Sequence, residues 1–360
     1  MKQTLKVQIS ENKNYLIDIS DSSFASFNQE IYEFTRGQKR LVVMSKKVYK
    51  LYFKDLNFDE EEILIFPDGE KEKNYKNYLK IINTAIKMGL TRKDVIIAVG
   101  GGVVGDIAGF AASTYMRGID FIQVPTTLLS AVDSSVGGKT AIDLMEAKNI
   151  LGTFYQPKKV FININFLNTL DKKQFLSGLG EIVKYGFIEA CCNHNEPLYL
   201  FEFLTLACDK ILQREPITLI RVIEYCLKLK IAVVCLDEKE SGLRKILNLG
   251  HTLGHALEAI TGYRKYTHGE AVIYGIMFML EFAHKREYID NSYYRLSWDL
   301  LNKYGFKKLK LCYSAEKLVE IMKKDKKAIS DKITLIVPSG KKQVKEIKLS
   351  PQEVEIALTE

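Results

Sequence analysis

The spacing of apolar residues along this chain changes near residue 170. Before it, apolar residues gather in short runs, LKVQI, YLIDI, RLVVMS, EEILIF, DVIIAVG and FIQVP. These runs are rich in β-branched residues and bounded by turn formers, which predicts strands. Stretches with helical spacing lie between several of them, such as NYLKIINTAIKMGL, where Gly89 is placed to end a helix. Strand–helix alternation predicts an α/β domain with a largely parallel sheet covered on both faces. After residue 170, FLSGLGEIVKYGFIEA, PITLIRVIEYCLKLKIAVVC, GHTLGHALEAI and EAVIYGIMFMLEFAHKREY repeat apolar residues at three and four. That spacing predicts a second, mainly α-helical domain. The expected division is 1–170 and 171–360. Near the end, ITLIVPSG and KEIKL form either a small hairpin or an addition to a sheet edge.

Composition adds a few exclusions. A chain of 360 residues suits two domains, and its 47% hydrophobic content supplies a core for each. MKQTLKVQIS is polar from the start, so no secretory leader is expected. The run VIIAVGGGVVGDIAGF is interrupted by Asp106 and by glycines, so no membrane span is expected. The six cysteines form no CxxC pair and sit mostly in apolar helical sequence, as reduced thiols of a cytoplasmic protein do. The net charge of +8 is concentrated in residues 301–350, with 14 Lys and Arg against 5 Asp and Glu. These lysines are not interleaved with aromatics or arginines, so a nucleic-acid partner is not expected. A solvated helical face or a field that favours an anionic substrate accounts for them.

Three of the five histidines fall in HTLGHALEAITGYRKYTHGE. His251 and His255 stand four apart and share a helix face. His268 follows, just before a new apolar helix. Imidazoles with a nearby carboxylate suit zinc, and catalytic zinc keeps one position open. The alternative is a polar helix cap with solvated histidines. Gly100, Gly102 and Gly105 satisfy G-x-G-x-x-G after a buried strand and at a helix start, where a pyrophosphate is favoured. The carboxylate that would hold ribose belongs at the end of the next strand, but Asp120 precedes FIQVP. The loop is therefore either a dinucleotide site of another layout or a tight strand–helix turn. SVGGKT lacks the leading glycine of an ATP-binding P-loop. Glu181 and Lys184, at i, i+3, form either a surface ion pair or a packed carboxylate that needs a cation or metal.

GGGVVGD, RGIDFIQVPTTLLSAVDSSVGGKT, AKNILGTFYQP, SGLGEIVKYG, DEKESGLRKILNLGHTLGHALE and THGEAV follow one another across roughly residues 65–330. Together these blocks resemble the signature of the 3-dehydroquinate synthases, within the sugar phosphate cyclase superfamily. The resemblance implies a Rossmann-like NAD-binding domain followed by a helical metal- and substrate-binding domain. It implies a homodimeric, cytoplasmic lyase of the shikimate pathway to aromatic amino acids that uses NAD and zinc; such nitrogen and oxygen ligands also suit cobalt. The reaction converts 3-deoxy-D-arabino-heptulosonate 7-phosphate into 3-dehydroquinate and phosphate through transient oxidation, β-elimination, re-reduction, ring opening and aldol closure.

Carried onto this chain, the resemblance implies Glu181, His251 and His268 as metal ligands, which leaves His255 to contact substrate or support a ligand. NAD contacts fall on Asp68, Gly69, Glu70, Lys71, Glu72, Lys73, Gly102, Val103, Val104, Gly105, Asp106, Thr126, Thr127, Lys139, Lys148, Phe166, Leu167, Asn168 and Thr169. Catalytic and substrate contacts fall on Arg117, Asp133, Lys139, Asn149, Lys184, Lys230, Arg244, Asn248, His255 and Lys326, with Arg117 reaching the site of a partner subunit. Three positions depart from the common pattern: Ala147 for glycine, Gly180 for alanine and Asn168 for lysine. Sister cyclases making inosose or valiolone share these features. An iron-type alcohol or glycerol dehydrogenase, or a binding protein that kept the scaffold, fits the lysines and histidines less well.

Overall fold

A computed structural model describes residues 1–11, 13–145, 147–192, 199–308, 312–325 and 332–360. The chain forms two compact units: Met1–Leu170 with Leu219–Glu238, and Asp171–Thr218 with Lys239–Glu360.

The first unit contains β1 (Lys2–Ser10), β2 (Lys13–Ser20), β3 (Arg40–Ser45), β4 (Ile63–Phe66), β5 (Val95–Gly100), β6 (Asp120–Pro125), β7 (Lys139–Leu144), β8 (Ala147–Phe154) and β9 (Lys159–Asn163). Seven of these form one sheet in the order β1-β2-β9-β6-β5-β3-β4. Only the β1–β2 pair is antiparallel. The central strands are mostly apolar because both faces are covered, and β5 is buried at every position. On one side Val42, Met44, Val95, Ile97 and Val99 pack with α1 (Phe24–Phe34) and α2 (Lys46–Leu56). On the other, Leu41, Val43, Ile96 and Ala98 pack with α3 (Tyr75–Lys87) and α4 (Gly102–Thr114). Gly89 (φ +62°) ends α3 as its spacing predicts: Leu90 N–H donates to Ala85 O at 3.0 Å across the left-handed residue. β7 and β8, in the polar run after β6, pair as a separate antiparallel hairpin.

The second unit opens with α5 (Lys172–Ile188), α6 (Leu200–Leu206) and α7 (Cys208–Leu212). The next helix, α8 (Pro216–Leu236), contributes Leu219 onward to the first unit. Its apolar spacing shows that a face is buried but not which core buries it. The second unit resumes with α9 (His251–Ile260), α10 (His268–Lys285), α11 (Asn291–Lys303) and α12 (Ala315–Asp325), then β10 (Ile333–Gly340), β11 (Gln343–Leu349) and α13 (Pro351–Thr359). β10 and β11 form a hairpin of their own, the first of the two arrangements their sequence allowed. Among the described residues, no helix is long and apolar enough to cross a membrane.

Candidate active site

In the second unit, α5, α9 and α10 approach one another where their facing residues are glycines. A Cβ on Gly269 would stand 1.8 Å from Ser177 O, and one on Gly250 (φ +78°) 2.4 Å from Val272 O. Any side chain at either position would hold the backbones apart. Thr267 and Glu270 form a reciprocal capping box that fixes the start of α10 and sets His268 at its first position.

This approach brings Glu181 of α5, His251 of α9 and His268 of α10 together, with one donor atom from each lying within 4.8 Å of the others. Glu181 Oε1 is 3.5 Å from His251 Nε2 and 3.4 Å from His268 Nε2. The outer nitrogens are also held: His251 Nδ1 lies 3.2 Å from Leu249 O, and His268 Nδ1 lies 3.1 Å from Glu258 Oε2. Fastening the outer nitrogen orients the inner one toward a ligand, as in metal-binding histidines generally. Burial, helped by Lys184, holds His251 well below its usual pKa and therefore neutral, the form that ligates. Burial opposes a charge on His268, but hydrogen bonds to Glu181 and Glu258 outweigh it and push its pKa up to about 10. The donor set, two imidazoles and a carboxylate, fits a catalytic zinc or cobalt ion. His255, Glu258 and His268 form a second group of the same composition.

Lys184 and Glu181 are each 1% exposed and form an ion pair one turn apart on α5, so the packed alternative holds. Arg244, 2% exposed, and Asn248 belong to the short 3-10 helix Leu243–Asn248, where Asn248 donates to Glu240 Oε1. Lys326 lies outside the described residues.

In the first unit, Gly102, Val103, Val104, Gly105 and Asp106 form the first turn and a half of α4, directly after β5. A Cβ on Gly105 would meet Gln123 Oε1 at 2.6 Å, so this glycine lets α4 lie close on β6. The α4 amino terminus has no side-chain cap, which leaves its first amides to an anion. Asp120 pairs in register with Val95, and Gly100 with Pro125. Asp120 therefore sits at the far end of the strand, five residues or about 17 Å from the loop. The layout is not the ordinary dinucleotide one. Thr126 N–H donates to Gly100 O at 2.9 Å, and Thr127 Oγ1 lies 2.8 Å from Ser130 Oγ.

Lys73 is almost fully buried beside this loop, 3.0 Å from Asp106 Oδ2 and hydrogen-bonded to Asn149 Oδ1. Burial opposes its charge, but the Asp106 and Glu70 carboxylates outweigh it and hold its pKa above the ordinary value. Glu70 lies 3.2 Å from Lys148 Nζ. Glu72 accepts from Asn77, and Asp68 accepts the Lys47 amide at the start of α2. Gly69 (φ +108°) turns the chain between them, while Lys71 is exposed. Phe166 and Leu167 are buried in the short helix Ile164–Thr169, with Asn168 and Thr169 exposed and Tyr52 bonded to Thr169. Lys230 of α8, 4% exposed, bonds Asp133 Oδ1 at 2.9 Å. Lys139 is exposed at the start of β7.

Sequence models described as 3-dehydroquinate synthase N-terminal and 3-dehydroquinate synthase C-terminal match residues 63–177 and 178–328. A 3-dehydroquinate synthase of Alkaliphilus metalliredigens is 42% identical over 98% of this chain and 97% of that protein. The chain belongs to the 3-dehydroquinate synthase family. Its fold is also that of two solved proteins. A 2-deoxy-scyllo-inosose synthase, complexed with carbaglucose-6-phosphate, NAD+ and Co2+, has a TM-score of 0.83 and 24% identity, covering 99% of each chain. A 2-epi-5-epi-valiolone synthase from Streptomyces hygroscopicus, with NAD+ and Zn2+ bound, has a TM-score of 0.84 and 22% identity, covering 99% of this chain and 98% of the other.

Glu258, beside the outer nitrogen of His268, was not among the residues that the sequence pointed to. It stands seven residues after His251 and three after His255, on the face that both histidines share, so helical spacing alone could have found it. The glycine contacts under the histidines had no comparable signal, because they depend on which helices meet.

Proposed function

We propose that this chain is a 3-dehydroquinate synthase that converts 3-deoxy-D-arabino-heptulosonate 7-phosphate into 3-dehydroquinate and phosphate. The observation that carries the reading is the convergence of Glu181, His251 and His268, with both outer imidazole nitrogens already fastened. These three residues would hold zinc or cobalt. When bound, the metal lowers the pKa of substrate hydroxyls and NAD supplies a transient hydride acceptor.

The remaining roles belong to side chains. In the first unit, the open start of α4, with the amides of Gly102, Val103 and Val104, would receive the cofactor pyrophosphate, and Gly105 and Asp106 would line it. Lys73, Glu70, Lys148, Thr126 and Thr127 would hold the cofactor around it, with Asp68, Gly69, Lys71, Glu72 and the Phe166–Thr169 turn completing the contacts. Lys184, Arg244, Lys230, Lys139 and Lys326 would bind the carboxylate and phosphate, with Asn149, Asn248, Asp133 and His255 orienting the hydroxyls. A pre-ordered set of this kind supplies rate chiefly by positioning and fixed charge.

A homodimer completes the reading. Met116 and Arg117 are consecutive left-handed residues, with φ of 50° and 66°, at an exposed corner. Held strain of this sort is a feature of functional positions, and it supports delivery of Arg117 to a partner subunit. The β7–β8 hairpin exposes Met145, Ile150, Leu151 and Phe154, an apolar face suited to a second copy. The cysteine pattern supports a cytoplasmic setting.

The test is phosphate release from 3-deoxy-D-arabino-heptulosonate 7-phosphate by metal-loaded protein with catalytic NAD, followed together with NADH absorbance. Release without NADH accumulation, abolished by chelation, is the expected result. Release only from another sugar phosphate would move the assignment to a sister cyclase. Steady NADH production from a simple polyol would replace it with a dehydrogenase.

A further inference from the structure

The metal centre contains more donors than one ion needs. His255 and Glu258 stand three apart on one face of α9, and with His268 they bring one donor atom each to within 4.8 Å of one another. The His255 and His268 rings lie side by side, with centroids 5.9 Å apart and an interplanar angle of 32°. His268 is common to both groups and presents a different edge to each. Its Nε2 is 3.4 Å from Glu181 Oε1 and its Nδ1 is 3.1 Å from Glu258 Oε2.

We propose that His255, Glu258 and His268 form a second position for a divalent cation of the zinc or cobalt kind, mutually exclusive with the position at Glu181, His251 and His268. The donor chemistry of the two sets is the same, two imidazoles and one carboxylate. Exclusivity follows from the shared ring, because a neutral imidazole carries one proton and one ligating lone pair. A cation on Nε2 leaves the proton on Nδ1, where Glu258 accepts it. With the cation on Nδ1, the proton moves to Nε2, where Glu181 accepts it. The two carboxylates thereby exchange roles between ligand and hydrogen-bond acceptor. The tautomer of His268 and the position of the ion form one coupled switch.

This inference rests on the proposed function only in taking the Glu181 set as the working position. The test is a cobalt(II) titration read by bound-metal content and visible absorption, with circular dichroism as a check on folding. Wild type binds one equivalent. His251→Ala removes a donor from the first set and none from the second. It is expected to bind one equivalent more weakly, with an altered spectrum. His255→Ala keeps the wild-type spectrum, and the double variant binds none. His251→Gln replaces the alanine variant if that fails to fold. Loss of all cobalt from His251→Ala while His255→Ala binds normally would overturn the second position, as would cobalt retained by the double variant. Two equivalents in wild type would overturn exclusivity. Loss of cobalt from His255→Ala with binding kept in His251→Ala would instead remove the Glu181 set as the working position.

Discussion

The two units build their candidate sites by opposite means. In the first, the glycine loop is set by the backbone: β5, inside a largely parallel sheet, ends, α4 begins, and open amides lie at the strand's carboxyl edge. In the second, the donor set consists of side chains from three helices, whose positions depend on how closely those helices pack. A backbone-built site follows from topology and tolerates varied side chains around it. A side-chain site within one ring's width of its neighbours depends on each supporting contact. The comparison predicts that substitutions near Glu181, His251 and His268 cost function steeply, while those around the lysines beside the glycine loop act gradually through charge.

The largest effect is expected at His268, which serves both donor groups. His268→Ala should abolish bound metal and turnover together, read by elemental analysis of the purified protein and by phosphate release. Metal retained at wild-type level would break the contrast between the units, because the second site would then not depend on its side chains.

A smaller effect tests the packing beneath the donors. Gly180 of α5 would place a Cβ 2.5 Å from Gly269 O on α10, and that obstacle is backbone, which cannot swing aside. Gly180→Ala should destabilise the second unit by about 1–3 kcal/mol and displace Glu181 from the histidines. Metal affinity should fall by about 10–100-fold, the range for disturbed ligand support. Trp298 is the chain's single tryptophan and lies in this unit, so its fluorescence reports the stability change directly. Unchanged stability and affinity would show that the helices are free to part.

The sequence revealed some of this and concealed the rest for physical reasons. Six of the seven strands of the main sheet were legible, since burial on both faces leaves runs such as RLVVMS and DVIIAVG largely apolar. The β7–β8 hairpin was not, because β8 is mostly exposed and lacks an apolar rhythm. Helical spacing identified α8 but placed it with the second core. Spacing also put His251 and His255 on one face, yet it could not bring in Glu181, 70 residues earlier. That pairing came from the resemblance, and its geometric basis is the contact between Gly269 and Ser177.

The smallest effect sharpens the other side of the comparison. Glu70 lies beside Lys73 and Lys148. Burial opposes its ionisation, but the two lysines outweigh that and hold its carboxyl below its ordinary 4.5. A depressed folded pKa stabilises the folded state fully above the unfolded value, and the contribution disappears as pH falls through the folded value. The first unit should therefore loosen around residues 63–87 as the pH drops below about 4.5, and Glu70→Gln should remove that part of the acid dependence. Because the tryptophan lies in the other unit, the readout is hydrogen exchange of peptides from this segment at matched denaturant. Glu70 is about one-third exposed, so solvent screens it and the difference should be modest and shrink with added salt. An identical acid profile in Glu70→Gln would mean that Lys73 is held by its other partners, Asp106 and Asn149 among them, without help from Glu70.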